Sequence, residues 1–212
     1  MSYHYLTAYE ENEQYMKKVI DNIFHVFSQD LLPKDHINFL EFMENRFKIR
    51  PQIIYDIGAA TLHWERHAKR IWPNAKIYCF DAFDPLEELY KKENVNYNIC
   101  CLSDVDDIDV KFYQNDMLFG GNSIFKEIND DVFPENNYVI KKTVALDTIV
   151  NKNNIPYPDL IKMDLQGAEL NALKGASQDL KRCSYLILEL QKTEYNRNAP
   201  LKHKVIEYLR SI

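Results

Sequence analysis

The sequence has no long apolar run. Nothing in its 212 residues approaches the roughly 18 consecutive apolar residues of a membrane-spanning helix. The stretch from Met1 to Lys18 lacks an apolar core followed by a cleavage-type site, so we expect no signal peptide and no membrane association. The formal net charge of −6 argues against a nucleic-acid partner, because a phosphate backbone is bound by an excess of positive charge.

Cysteine is scarce and carries no metal-type spacing. Cys79, Cys100, Cys101 and Cys183 all lie in apolar stretches, without the paired spacing of a zinc or redox site. Buried, reduced thiols are the better interpretation, and they predict a cytoplasmic location. No arrangement of acids and histidines demands a metal, and we predict none.

Glycine is also scarce, with five in the chain, and Gly58 is the informative one. The stretch IIYDIGAA (53–60) is a short apolar run followed by small residues, and an amphipathic helix is predicted from Thr61 to Trp72. Strand, tight turn and helix open a nucleotide-type binding unit. We predict ligand contacts in this turn from Asp56, Gly58, Ala59 and Ala60.

The missing glycines separate two classes of ligand. A dinucleotide site needs two further glycines for its pyrophosphate, and here Ala60 and then Leu62 or His63 occupy those places. S-adenosylmethionine carries no phosphate, so a single glycine favours that cofactor. Asp81 ends the second strand-like run, 25 positions after Asp56, where a carboxylate can accept both ribose hydroxyls.

The order of the elements predicts one α/β domain over residues 1–212. Two helices, near 9–30 and after Pro33, form an N-terminal cap (1–50), which either covers the core or gates the substrate. The core (51–212) begins β-α-β-α-β, with strands at 53–57, 75–81 and 95–102, and this pattern implies a mostly parallel sheet with helices on both faces. A β insertion around 109–146 precedes further strands at 159–164 and 184–190 and a last helix near 201–209.

The most specific stretch is PDLIKMDLQGAELNALKGA (158–176). It resembles the FkbM-type methyltransferases, whose fourth strand and following helix read K-x-D-x-[EQ]-G-x-E-x-x-x-L-x-G. The segment 144–149 resembles the leucine-aspartate segment of that family. The resemblance covers about Ile53 to Leu190, and it implies a class I, Rossmann-like fold and S-adenosylmethionine-dependent methyl transfer to oxygen, often a hydroxyl of a sugar or natural product.

The resemblance extends the predicted site beyond the first turn. It implies cofactor contacts at the ends of the second and third strands and in the insertion; with the flanking residues, these are Asp81, Ala82, Phe83, Leu102, Ser103, Asp104, Asn122 and Ser123. Deprotonation of the acceptor hydroxyl requires a base. The candidates are Asp164 and Glu189 at strand ends and His63 at a helix start.

Two departures from the family pattern qualify the prediction. Leu62 stands where the family usually has a second glycine, which predicts a reshaped pocket. The family normally continues into a last pair of strands, which we expect to be missing, truncated or supplied by a neighbour here. An apolar sheet edge is then expected, and we predict a homodimer or a partner that covers it. The leading hypothesis is an O-methyltransferase acting on a sugar, glycan or similar small hydroxyl acceptor. The alternative is a catalytically inactive binding or assembly module with the same fold.

Overall fold

The computed structural model describes the backbone of residues 3–212 and the side chains from residue 12 onward. Residues 1 and 2 of the predicted cap lie outside that part. The strands, in chain order, are β1 (Ile53–Ile57), β2 (Lys76–Asp81), β3 (Asn96–Ile99), β4 (Cys101–Leu102), β5 (Asp109–Tyr113), β6 (Tyr138–Val144), β7 (Leu160–Met163) and β8 (Tyr185–Leu188). The α-helices are α1 (Tyr3–Ser28), α2 (Lys34–Phe47), α3 (His63–Ile71), α4 (Leu86–Lys92), α5 (Leu146–Lys152), α6 (Glu169–Lys174), α7 (Ser177–Arg182) and α8 (Lys202–Ser211).

The central sheet has five parallel strands in the order β3-β2-β1-β7-β8. The chain builds outward from β1 to β3 and later returns to the other side of β1, so the strand order reverses between β1 and β7. Ligands of open α/β sheets bind at the carboxyl ends of the strands at such a reversal. The predicted Rossmann-like sheet is confirmed, and its switch point lies between the segments that contain Asp56 and Asp164.

Successive side chains along the strands of the central sheet point to opposite faces, and each face packs against helices in a hydrophobic core of its own. Ile54 packs with α1, α2, α3 and α4, through residues such as Ile23 and Leu40. Tyr55 and Ile57 point the opposite way and pack with the apolar faces of α5, α6 and α8. A strand that is buried on both faces has an almost continuous run of apolar residues, and β1 and β7 could be predicted from the sequence for that reason.

The predicted third strand is wrong in its extent. The run 95–102 is split, because the chain leaves the central sheet after the amide of Cys100 donates to the Asp81 carbonyl (2.7 Å). β4 then pairs in parallel with β6, and β5 pairs antiparallel with β6, so the insertion forms a three-stranded sheet of its own. Periodicity alone cannot show a change of partner within one apolar run.

Two short helices, α5 and α7, were not predicted. The leucine-aspartate segment ends β6 and starts α5, and its carboxylate has a structural task. Asp147 accepts hydrogen bonds from the amides of Gln178 and Asp179 (3.0 and 3.2 Å), at the start of α7. The segment therefore fixes one helix against another, away from the reversal of the sheet.

The β8 edge of the sheet has no neighbouring strand in the described part of the chain, and Tyr185 and Leu186 there are exposed. The apolar edge expected from the sequence is present, while dimerisation stays a prediction. Over the same described residues, no helix has both the length and the apolar character that crossing a bilayer requires.

Gly175 is required by a close approach of two backbone segments. A Cβ atom there would lie 2.1 Å from the Ser103 carbonyl oxygen, whereas one at Gly120 would meet nothing within 4 Å. We expect Gly175→Ala to lower the free energy of unfolding by about 1–3 kcal/mol, the usual cost of overpacking. Gly120→Ala is the matched control and should change it by less than about 0.5 kcal/mol. Urea unfolding of both variants provides the check, and equal midpoints would contradict this account of the packing.

Candidate active site

The turn after β1 is defined by its contact with the end of β7. Gly58 has φ of +72°, and a Cβ atom on it would lie 1.8 Å from the carbonyl oxygen of Asp164. The Asp164 amide in turn donates to the Ile57 carbonyl (3.0 Å). Glycine is therefore needed here so that two strands can approach each other, a reason that the sequence alone did not reveal.

The amides of this turn already have acceptors within the protein. Gly58 and Ala59 both donate to the Phe80 carbonyl (2.9 and 3.2 Å), and Ala60 donates to a carboxylate oxygen of Asp81 (2.9 Å). Their carbonyls also accept hydrogen bonds, from Lys162, Leu62 and Tyr90, so the turn is internally satisfied and its ligand contacts stay a prediction.

Asp81 organises the turn and keeps capacity for a ligand. Its carboxylate accepts from the amides of Ala60 and Phe83 (2.9 and 3.0 Å), and burial raises its pKa despite these bonds. A carboxylate has about four lone-pair sites, so about two remain for hydroxyl donors such as those of a ribose.

Asp56 lies under the turn and not in a cavity. Its side chain is fully buried, and burial raises its pKa against the opposing charge of Lys162, whose Nζ is 3.1 Å away. Lys162 Nζ also donates to the Gly58 carbonyl (2.8 Å). Asp56 lines none of the three cavities described below, so its ligand contact stays a prediction, while this carboxylate and Lys162 form the floor of the turn.

Three cavities meet at the carboxyl ends of β1, β7 and β8. The large cavity (about 610 Å³) lies between α2, the β1 turn and the ends of β7 and β8. The narrow cleft (about 70 Å³) lies between the ends of β1 and β2 and the insertion. The third cavity (about 310 Å³) lies between Gln166 and Tyr195. Asp164 lines all three.

The predicted site residues divide among these cavities. Those that line the narrow cleft are Gly58, Ala60, Asp81, Ala82, Leu102, Asn122, Ser123 and Asp164. Those that line the large cavity are Gly58, Ala59, Ala60, His63, Asp164 and Glu189. Four predicted residues line none of the three: Asp56, Phe83, Ser103 and Asp104. Ser103 is buried, its hydroxyl donates to the exposed Asp104 carboxylate (3.0 Å), and its backbone carbonyl packs against Gly175.

The narrow cleft is narrow because an aromatic side chain fills it. Phe119 is buried in the cleft and stacks on Phe83, with ring centroids 5.7 Å apart. The loop that carries it is fixed at its tip to α1. There the Tyr15 hydroxyl donates to the Asp116 carboxylate (2.7 Å), and Nδ2 of the Asn22 side chain donates to the Met117 carbonyl (3.0 Å). Phe83, predicted as a ligand contact, is in this arrangement a partner of Phe119.

Asp164 and Glu189 act on each other electrostatically. The negative charge of Asp164 is the main cause that raises the pKa of Glu189, burial adds to it, and His36 and Lys162 oppose it. Gln166 Nε2 donates to Asp164 Oδ1 (2.7 Å), which fixes the orientation of that carboxylate. The cavity thus holds two interacting acids, and Glu189 takes up a proton more readily than an isolated glutamate.

His63 and Glu169 have structural contacts beside the cavities. His63 Nε2 lies 3.0 Å from the Val26 carbonyl, a contact that needs a proton on Nε2 and leaves Nδ1 as the nitrogen available to act as a base. Burial lowers the pKa of His63. Glu169 accepts from the amides of Leu165 and Gly167 (2.7 and 3.3 Å), so it anchors the loop after β7.

Leu62 does not reshape a pocket, contrary to the expectation from the sequence. It adopts a left-handed conformation (φ of +61°), which explains why glycine suits this position, but its side chain is buried among core residues and lines none of the cavities. A non-glycine residue in this region carries a backbone cost of about 1–2 kcal/mol, which burial of the leucine side chain offsets.

Several lining residues were missed by the sequence reasoning. Asp35, His36 and Phe39 of α2 line the large cavity, and Phe119 lines the narrow cleft. The helix start at Pro33 was visible, and so was the Gly120-Gly121 loop, but neither pattern shows which side chains point inward. Helix α2 of the cap packs on the core and also lines a cavity, and gating of the substrate by the cap stays a prediction.

Comparison with known proteins adds the family. The model of the methyltransferase FkbM domain matches residues 56–212. The chain belongs to the FkbM methyltransferase family. It is 35% identical over 49 residues to the hexuronic acid methyltransferase AglP of Haloferax volcanii, which is 23% of this chain and 20% of that protein. A solved FkbM methyltransferase from Methylobacillus flagellatus KT aligns with a TM-score of 0.49 and 16% identity, over 76% of this chain and 37% of that one.

The chain spans 20% of the length of the curated relative and 37% of the solved structure that it matches. The matched region contains every lining residue of the narrow cleft, and it contains Asp164 and Glu189 of the large cavity but not Asp35. The helices α1 and α2, which contribute the rim of the large cavity and the attachment of the Phe119 loop, precede it.

Burial raises the pKa of Glu169 to about 7, above the value near 4.5 of an ordinary glutamate. Between those values the unfolded chain loses the proton first, so the free energy of unfolding should fall as the pH rises from about 4.5 to 7. We expect Glu169→Gln to remove on the order of 1–3 kcal/mol of this fall, since glutamine does not titrate. Urea unfolding at several pH values measures it. Glu41→Gln, at an exposed position of α2, is the control, and identical pH profiles for wild type and Glu169→Gln would contradict the assignment.

Proposed function

We propose that this protein transfers a methyl group from S-adenosylmethionine to a hydroxyl oxygen of a sugar-type acceptor. The observation that carries the proposal is the position of Asp164, at the junction of a cleft lined by the predicted cofactor residues and a large open cavity. A methyl transfer needs two ligands that meet at one point, and positioning of this kind can contribute about 7–11 kcal/mol.

The residues of the narrow cleft offer hydrogen-bond acceptors that an adenosyl group needs, but the volume of the cleft is too small for that group. Asp81 offers hydroxyl acceptors beside the small residue Ala82, yet 70 Å³ is far below the roughly 300–1,000 Å³ of small-molecule sites. Binding therefore requires Phe119 to leave Phe83, and the loop around Gly120 and Gly121 must move away from α1. When bound, the cofactor supplies an electrophilic methyl group on a sulfonium centre.

The acids of the large cavity suit the acceptor side of the reaction. An alcohol is a poor nucleophile while it keeps its proton, so a base within hydrogen-bond reach is needed. Glu189 faces the cavity with a raised pKa, which improves it as a proton acceptor, and Asp164 lies beside it with its orientation fixed by Gln166. We assign Glu189 as the base and Asp164 as the group that positions the hydroxyl. The partial match to a hexuronic acid methyltransferase supports a sugar as the acceptor.

Cofactor binding is the first test. We expect calorimetric titration with S-adenosylmethionine to give saturable heat, and Asp81→Asn to weaken binding by about 1.5–3 kcal/mol, the range for hydrogen bonds to a charged group. Hydrogen exchange of residues 114–122 should change on binding, because that loop has to move. Absence of heat from folded protein at high micromolar cofactor would overturn the proposal. Binding without turnover would favour the inactive binding module.

Turnover is the second test. With radiolabelled S-adenosylmethionine and a panel of glycans and small alcohols, Glu189→Gln should lower methyl transfer by about 10²–10⁴-fold, the usual contribution of a general base, while cofactor affinity stays unchanged. The control is Glu194→Gln, at an exposed position outside the cavities' lining residues. If Glu189→Gln retains full activity, the proton acceptor is another group, and the assignment is wrong.

A further inference from the structure

Helix α2 exposes three phenylalanine side chains. Phe39, Phe42 and Phe47 are 48%, 50% and 63% exposed, and the rings of Phe42 and Phe47 are in edge contact at 5.2 Å between centroids. Single exposed apolar residues are common, but several large aromatic residues together on one surface mark a binding site. We call the surface formed by these three residues the phenylalanine shelf.

The shelf is held by the core beneath it. Leu40 and Met43 of the same helix are buried, and a left-handed residue, Lys48, ends the helix with its amide bonded to the Glu44 carbonyl (3.1 Å). The Trp72 indole donates to the Ile49 carbonyl just beyond (2.9 Å). The rings are therefore presented by a fixed helix, so little ordering entropy has to be lost when they bind a ligand.

The shelf is continuous with the large cavity. Phe39 lines that cavity together with Asp35 and His36, which lie one turn earlier on α2. Phe42 follows Phe39 at a spacing that makes the two neighbours on a helix. A molecule whose reacting ring lies beside Glu189 can thus extend past Phe39 and cover Phe42 and Phe47.

The charges of the large cavity select among possible acceptors. Its lining includes the acids Asp35, Asp164 and Glu189. Apart from two histidines, Lys162 is the basic residue among the described lining residues, and its ammonium group is already engaged by Asp56 (3.1 Å) and the Gly58 carbonyl (2.8 Å). A carboxylate on the acceptor would face three acids, and the described lining offers it no lysine or arginine that is free to pair, which costs free energy.

We infer that the phenylalanine shelf is a second acceptor subsite, and that the acceptor is an uncharged oligosaccharide of at least two rings. One ring lies in the large cavity and a further ring lies on Phe42 and Phe47. A pyranose has an apolar face of C–H groups that an aromatic ring can bury, and hydroxyls at its edge that carboxylates can accept from. This inference rests on the proposed function, and it differs from the hexuronic acid named for the relative.

A glycan array tests the inference. Labelled protein with S-adenosylhomocysteine is applied to immobilised neutral and uronic-acid glycans of one to six rings, and positives are confirmed by titration. We expect binding to neutral chains of two or more rings and at least tenfold weaker binding to the matching monosaccharides. Phe42→Ala should weaken binding of the longer chains by about three- to tenfold, the range for loss of one aromatic contact, and leave the monosaccharides unchanged. Ile140→Ala, at an exposed position on β6 (59%, against 50% for Phe42), is the matched control.

Several results would overturn the inference. These are a preference for uronic acids, affinity that does not depend on chain length, no glycan binding, or an unaltered Phe42→Ala variant. If Phe42→Ala instead abolishes self-association in sedimentation, or binding to vesicles of neutral and anionic phospholipid, the shelf is an interface with a second copy or with a membrane. A parallel titration with S-adenosylhomocysteine separates the two hypotheses. If the protein binds this compound and any of the results above is found, the subsite is rejected and the proposed function is not. If the protein does not bind it, the proposed function is rejected.

Discussion

The close approach of Gly58 to Asp164 is the constraint on which the site depends. A glycine at the end of β1 lets the carbonyl of Asp164 occupy the space where any other residue would place its Cβ atom. The two strands can then stay hydrogen-bonded to their ends, and the side chain of Asp164 reaches the point where the cavities join. A wider spacing would separate the narrow cleft from the large cavity.

A buried ion pair supports this arrangement from below. Asp56 and Lys162 lie opposite each other in the register of β1 and β7, and the lysine also binds the carbonyl of the turn. A buried pair of this kind adds little net stability, but loss of one partner leaves an uncompensated charge that costs several kcal/mol. The pair therefore fixes the position of the turn more than it strengthens the fold, and it also removes the lysine from ligand binding.

The sequence predicted those features that depend on local patterns. The parallel strands were found because burial on both faces makes them continuous apolar runs, and Asp81 and Asp164 were found because they end such runs. The split of the 95–102 run, the burial of Asp56 and the inward direction of Asp35 and Phe39 all depend on which distant segment lies opposite. No periodicity encodes that information. Leu62 is the instructive case, since the sequence marked an unusual residue correctly but could not show that its side chain enters the core.

The two sides of the site come from different parts of the chain. The narrow cleft is built entirely from residues after β1 begins, whereas the rim of the large cavity comes from the helix that precedes it. The helix that forms the entrance can therefore be changed without altering the residues that line the cleft. The same division makes α2 a practical segment to graft or randomise when a methyltransferase with a new acceptor is wanted.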